Sequence, residues 1–179
     1  MATTMKLIGK SVLTSNTATV TFSDIPGTYT DLAIMISGRC DRVTALAQGA
    51  YGYLTISLNG STSNFTSRTL LGTGTSVISQ SLSSNRISYS LGCDNQTADT
   101  FGSISIYIPN YAGSTNKSIS ATGVNETNSS AAEAALISEW ATLWSNTAAI
   151  TSVAFATETA NSNLFKSGSS FFLYGITKA

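Results

Sequence analysis

Polar and apolar residues alternate with a period of two through most of this sequence. Thr19-Val20-Thr21-Phe22 alternates, and Leu32, Ile34 and Ile36 alternate with Ala33, Met35 and Ser37. Leu54, Ile56 and Leu58 alternate with Thr55 and Ser57, and Ile104, Ile106 and Ile108 with Ser103, Ser105 and Tyr107. Successive side chains of a strand point to opposite faces, so each run predicts a strand with one buried and one hydroxyl-rich face. Further strands are predicted over 5–13, 67–71, 76–80, 86–92, 117–124, 149–156 and 169–177.

Turn chemistry separates the runs. Asp24-Ile25-Pro26-Gly27 predicts a turn, and Asn59-Gly60 after an alternating run is a strong hairpin signal. Pro109-Asn110 closes the Ile104–Ile108 run, and Ala112-Gly113-Ser114 opens a loop before the next. About ten short strands without a βαβ unit predict an all-β fold: one antiparallel sandwich of jelly-roll type spanning residues 1–179 as a single domain. Ser130–Trp144 carries two signals at once. Ser130 and Glu133 have capping-box spacing, yet Leu136, Trp140 and Trp144 alternate with Ile137, Ala141 and Leu143. A short helix over 131–137 followed by a strand over 138–144 satisfies both.

The chemistry is bounded by one absence. The 179 residues contain no histidine, which removes the Ser-His-Asp triad, the Cys-His pair and HExxH zinc sites. Nine acids remain: Asp24, Asp31, Asp41, Asp94, Asp99, Glu126, Glu133, Glu139 and Glu158. A glycosidase needs two carboxyls about 5–9 Å apart, and no spacing in the sequence pairs any two. Asp94-Asn-Gln-Thr-Ala-Asp99 resembles a calcium loop only until Ala98 breaks the pattern, so a plain turn is expected. Gly72-Thr-Gly-Thr-Ser76 lacks the lysine and helix of a phosphate cradle and also reads as a turn. No enzyme activity, cofactor or metal is expected.

Nine basic residues balance the nine acids and are scattered, so no nucleic-acid partner is expected. No run approaches the ~20 apolar residues of a membrane span, and the N-terminal residues do not form a signal peptide. Cys40 and Cys93 are accordingly expected as free thiols of a protein made in a reducing cytoplasm. Serine and threonine supply 55 residues, so surface contact would have to come through hydroxyls and exposed aromatics. Tyr51, Tyr53, Tyr107, Tyr111, Trp140 and Trp144 are the aromatic candidates. The tryptophans are expected in the core. Tyr107, on the polar side of its strand, and Tyr111, in the following loop, are the candidate contacts for a protein partner or a glycan.

Several phrases occur together in a familiar order. They include Ile25-Pro-Gly-Thr-Tyr-Thr-Asp-Leu32, Leu58-Asn-Gly-Ser-Thr-Ser-Asn-Phe-Thr-Ser-Arg68, Tyr107-Ile-Pro-Asn-Tyr-Ala-Gly-Ser-Thr-Asn-Lys117, Trp144-Ser-Asn-Thr-Ala-Ala-Ile-Thr-Ser152 and Phe172-Leu-Tyr-Gly-Ile176. With the opening Met-Ala-Thr-Thr, the chain resembles small virion structural proteins of tailed bacteriophages, particularly those of aquatic bacteria. The resemblance implies a β-sandwich displayed on a virion, with no catalytic residues to carry over. It also implies a homo-oligomer, commonly a trimer, that contacts the major capsid protein or other virion proteins. Head decoration and tail or fibre modules both use such sandwiches, the latter to bind host glycan, and fold alone does not separate the two roles.

Overall fold

A computed structural model describes residues 4–43, 52–128, 135–157 and 163–177. The fold is all-β, and no helix occurs among the described residues. Twelve strands form where alternation predicted them: β1 Met5–Val12, β2 Thr19–Phe22, β3 Asp31–Cys40, β4 Gly52–Leu58, β5 Phe65–Gly72, β6 Val77–Leu82, β7 Arg86–Cys93, β8 Gly102–Ile108, β9 Lys117–Asn125, β10 Leu136–Trp144, β11 Val153–Ala156 and β12 Ser170–Ile176. The count exceeds the expected ten or so, and even the short β2 and β11 pair with each other along their whole length.

The chain doubles back on itself. β1 pairs β12, β2 pairs β11, β3 pairs β8 and β4 pairs β7, all antiparallel. β12 also pairs β3, and β11 also pairs β4, so early and late strands interleave. The results are a run β2-β11-β4-β7 and a longer run β1-β12-β3-β8-β9-β10-β5-β6. The longer run is extended by the β5–β6 and β9–β10 hairpins, joined where β10 pairs β5.

One contact departs from the antiparallel expectation. β3 and β7 meet in parallel over two residue pairs, Arg39 with Gly92 and Cys40 with Cys93. β7, the last strand of the shorter run, packs against β8, β9 and β10 of the longer one and is buried along nearly its whole length. Its close approach to the long sheet requires glycine. A Cβ on Gly102 would lie 1.6 Å from the Ser90 carbonyl oxygen, and one on Gly123 would lie 2.5 Å from Ser90 Oγ.

The 131–137 helix is not what the chain adopts where it is described. Residues 131–134 lie outside the described residues, and Leu136 and Ile137 belong to β10. From Leu136 on alternation prevails, because β10 is hydrogen-bonded on both sides, by β9 and β5; Ser130 and Glu133 lie outside the described residues. Its inward row is Leu136, Ser138, Trp140, Thr142 and Trp144. Asn59-Gly60 does make a tight turn, with φ of 51° and 74° and reciprocal Leu58–Ser61 backbone bonds. The hairpin stops there, because β5 then pairs β6 and β10 rather than β4.

Both tryptophans are in the core, as expected. Trp140 meets Tyr89 edge-on at 4.8 Å, and Trp144 stacks on Phe65 at 6.1 Å. The hydroxyl excess also reaches the interior. Ser90 Oγ and Ser138 Oγ lie 2.9 Å apart, as do Ser67 Oγ and Thr142 Oγ1. These inward hydroxyls bond one another, which offsets the desolvation they suffer.

Candidate functional site

The outer face of the long sheet brings the exposed chemistry together. In β8, the outward residues are Ser103, Ser105 and Tyr107. Tyr107 is 39% exposed, and its hydroxyl donates to Asp31 Oδ2 at 2.7 Å. Asp31 Oδ1 accepts the Asn110 N–H at 2.8 Å, so both carboxylate oxygens are engaged. The bond to Asp31 holds the Tyr107 phenol above its ordinary pKa, because ionisation would set two negative charges against each other. The ring is thus fixed at its tip while its body stays wet.

Tyr107 does not stand alone. Register places it opposite Ala33, which is opposite Tyr174, which is opposite Leu7. The adjacent row runs Lys10, Phe172, Met35 and Ser105. Leu7 is 44% and Met35 40% exposed, while Phe172, Tyr174 and Ile176 are half-buried. An apolar, aromatic surface therefore covers β1, β12, β3 and β8, with Lys10 and Asp31 as its charges. Alternation alone does not single out Phe172 and Tyr174 as exposed aromatics. Their signal was there: Phe171 and Leu173 face the core while Phe172 and Tyr174 between them are also apolar, so this strand has no polar side.

The other half of the face is smaller in its side chains. Tyr107 is opposite Ser120, then Ala141, Arg68 and Ser81 across β9, β10, β5 and β6. At ~4.8 Å per strand, Tyr107 and Arg68 are about 14 Å apart. Two open troughs flank Ala141. One of about 270 Å³ is lined by Thr66, Arg68, Ser118 and Leu143, and one of about 330 Å³ by Leu70, Ser79 and Glu139. Beyond them, Val124, Ile137 and Val77 form a second exposed apolar row, interrupted by Gly72.

Tyr111 is a correction. It is fully buried, and its hydroxyl donates to the Pro26 carbonyl. Its own carbonyl accepts the Ile150 N–H at 2.9 Å, so the residue ties three loops together and offers no face to a ligand. Burial raises its phenol pKa. Tyr53 is likewise core, packed 4.8 Å from Tyr89 with Arg86 over its ring at 4.3 Å. Tyr51 lies outside the described residues.

Asp94, Asp41 and Glu126 brace the scaffold. Asp94 accepts from Arg39 Nε at 3.2 Å and from Lys166 Nζ at 2.8 Å on both oxygens. Burial works against its charge, but these two cations outweigh it and hold the carboxyl below its ordinary pKa. Arg39 also donates to the Thr97 and Thr100 carbonyls, so the 94–99 segment is the expected turn, cross-braced to β3. Asp41 accepts the Leu164 N–H at 2.7 Å, and Glu126 accepts the N–H groups of Thr127 and Asn128. Lys117 is buried and donates to the carbonyls of Gly113 and Thr115 and, at 3.5 Å, Thr147; burial lowers its pKa. Among the described residues no group of three or more His, Cys, Asp or Glu could hold a metal. No helix there is long and apolar enough to cross a membrane.

No protein-family model matches the chain, and a search of curated proteins finds no relative.

Proposed function

We propose that this chain is a non-enzymatic structural protein of a bacteriophage virion, a capsid decoration, cement or knob module that binds the capsid surface and its own copies. The observation that carries the reading is the exposed apolar surface over β1, β12, β3 and β8, centred on Leu7, Met35 and Tyr107. Contiguous apolar surface of this kind is used for contact with other proteins. β1 and β6 are also sheet edges, each paired on one side only, and closing a cyclic oligomer such as a trimer would cover them. The resemblance of its sequence phrases to those of virion structural proteins supports the same reading. The interleaved strand order is read as jelly-roll wrapping, with β5–β6 and β9–β10 as additions.

Antibody-gold labelling of intact particles tests the location, and label over the head is expected. A Leu7→Glu, Met35→Glu double variant tests the surface. Both side chains are exposed, so the variant should fold yet fail to bind particles lacking the protein. Undiminished binding would overturn the assignment of this surface.

A second reading, a tail or fibre module that binds host glycan, is supported by the anchored ring of Tyr107, which shares its sheet face, two strands away, with the troughs that flank Ala141 and reach Arg68. Aromatic faces stack on sugar rings, and a guanidinium suits acidic sugars. Gold label at the tail, with saturable glycan binding lost in Tyr107→Ala, would favour it over the first.

A further inference from the structure

We propose that Cys40 and Cys93 form a redox-modification site: a buried dithiol that a small-molecule disulfide, such as oxidised glutathione, converts into an intramolecular disulfide clasping β3 to β7. The two sulfurs lie 3.4 Å apart and both residues are buried. They are direct partners in the parallel β3–β7 contact. Neighbouring strands run ~4.8 Å apart, within the 4.4–6.8 Å Cα separation that disulfides span. Closing the bond brings the sulfurs from 3.4 Å to about 2.05 Å.

The surroundings favour a pair over other uses of two thiols. Among the described residues no third metal-ligating side chain joins them, so they do not make a zinc site. Gly52 closes the space above them, since a Cβ there would lie 2.6 Å from Cys40 Sγ and 3.1 Å from Cys93 Sγ. No bulky adduct fits that space in the closed fold. The two thiols share one hydrogen bond in which either sulfur can donate, so the S–H of one stabilises the thiolate of the other. The Arg42 charge favours the thiolate at both positions, against their burial.

The exchange balances. The thiolate of either cysteine, taken here as Cys40, attacks one sulfur of oxidised glutathione, forming a mixed disulfide and releasing one glutathione. Cys93 then loses its proton and attacks the Cys40 sulfur, releasing the second glutathione. One small disulfide is reduced to two thiols as the two protein thiols are oxidised. Entry requires local opening, and the ladder is weakest here: β3 and β7 share two pairs, and the β4–β7 register shifts between Gly52 and Leu54. In a reducing cytoplasm the dithiol persists; in an oxidising medium the clasp closes and pins the seam between the sheets.

The test exposes the folded full-length protein to oxidised glutathione at mildly alkaline pH, then quenches with acid and denatures. The expected product has no titratable thiol, an intact mass lower by two hydrogens and no glutathione adduct. Closing a loop of about 50 residues should raise Tm by about 10 °C, reversibly with dithiothreitol. Cys93→Ser should gain at most one glutathione and no Tm increase. Two surviving thiols, a stable glutathione adduct on the wild type, an intermolecular dimer or a lowered Tm would each overturn the proposal. The wild-type mass and thiol count decide it even if the serine variant fails to fold.

Discussion

Asp31 on β3 and Tyr107 on the neighbouring β8 share a 2.7 Å hydrogen bond on the open face of the long sheet. The bond raises the Tyr107 pKa, so this phenol should ionise later than a free tyrosine in an absorbance titration. Tyr107→Phe is expected to remove that late component. Asp31→Asn should return it to the ordinary range near pH 10. If Tyr107 also stacks on a ligand, Tyr107→Phe will retain binding that Tyr107→Ala loses, because stacking needs the ring and not the hydroxyl.

Asp94 should make stability acid-sensitive. Its pKa is lowered in the folded state, so its contribution is present above the unfolded value of about 3.9 and is lost as pH falls through the folded one. Asp94→Asn removes the charge that compensates Arg39, which is 5% exposed, and should cost about 2 kcal/mol at neutral pH. Urea denaturation from pH 7 downward should show the gap between wild type and variant closing below about pH 4. A gap that is unchanged at pH 2.5 would contradict the role given to the charge.

Ser90 and Ser138 should behave as a coupled pair. Removing one hydroxyl leaves the other buried without its 2.9 Å partner, so each single alanine variant should cost about 1–2 kcal/mol. Removing both leaves nothing unsatisfied at that contact. The double variant is therefore expected to be about as stable as either single one, and a denaturation cycle that came out additive would show the contact to be inert.

Lys117 caps the loop after β8. Lys117→Met keeps much of the buried stem but strips the Gly113, Thr115 and Thr147 carbonyls of their donor. A loss of about 2–4 kcal/mol is expected in chemical denaturation, because unsatisfied buried acceptors bear the full desolvation cost. Hydrogen exchange should quicken first at Gly113, whose amide bonds Asn110 within the same loop.

Strand content was legible in the sequence because alternation is local: Ile104, Ile106 and Ile108 mark an inward face whatever strand lies beside them. The turn at Asn59-Gly60 was equally local, since positive φ selects those residues. The burial of Trp140 and Trp144 followed from volume and hydrophobicity. Strand partners were a different matter. Nothing near Leu58 tells it to stop pairing at Ser61, and nothing near Leu136 says that β9 and β5 will hold it extended; those choices come from strands far away in the chain.

The same divide runs through the candidate site. Sequence by itself determined the all-β fold, the absence of histidine chemistry and the outward position of Tyr107, all properties of composition or of period two. Tertiary structure alone decided that Tyr111 is core, that Phe172 and Tyr174 join Tyr107 on one surface, and that Cys40 meets Cys93 across 53 residues of chain. Facing is set by the pleat of a strand, but neighbours are set by which strands pair. That pairing is chosen by the burial of the whole core at once, and no short segment encodes it.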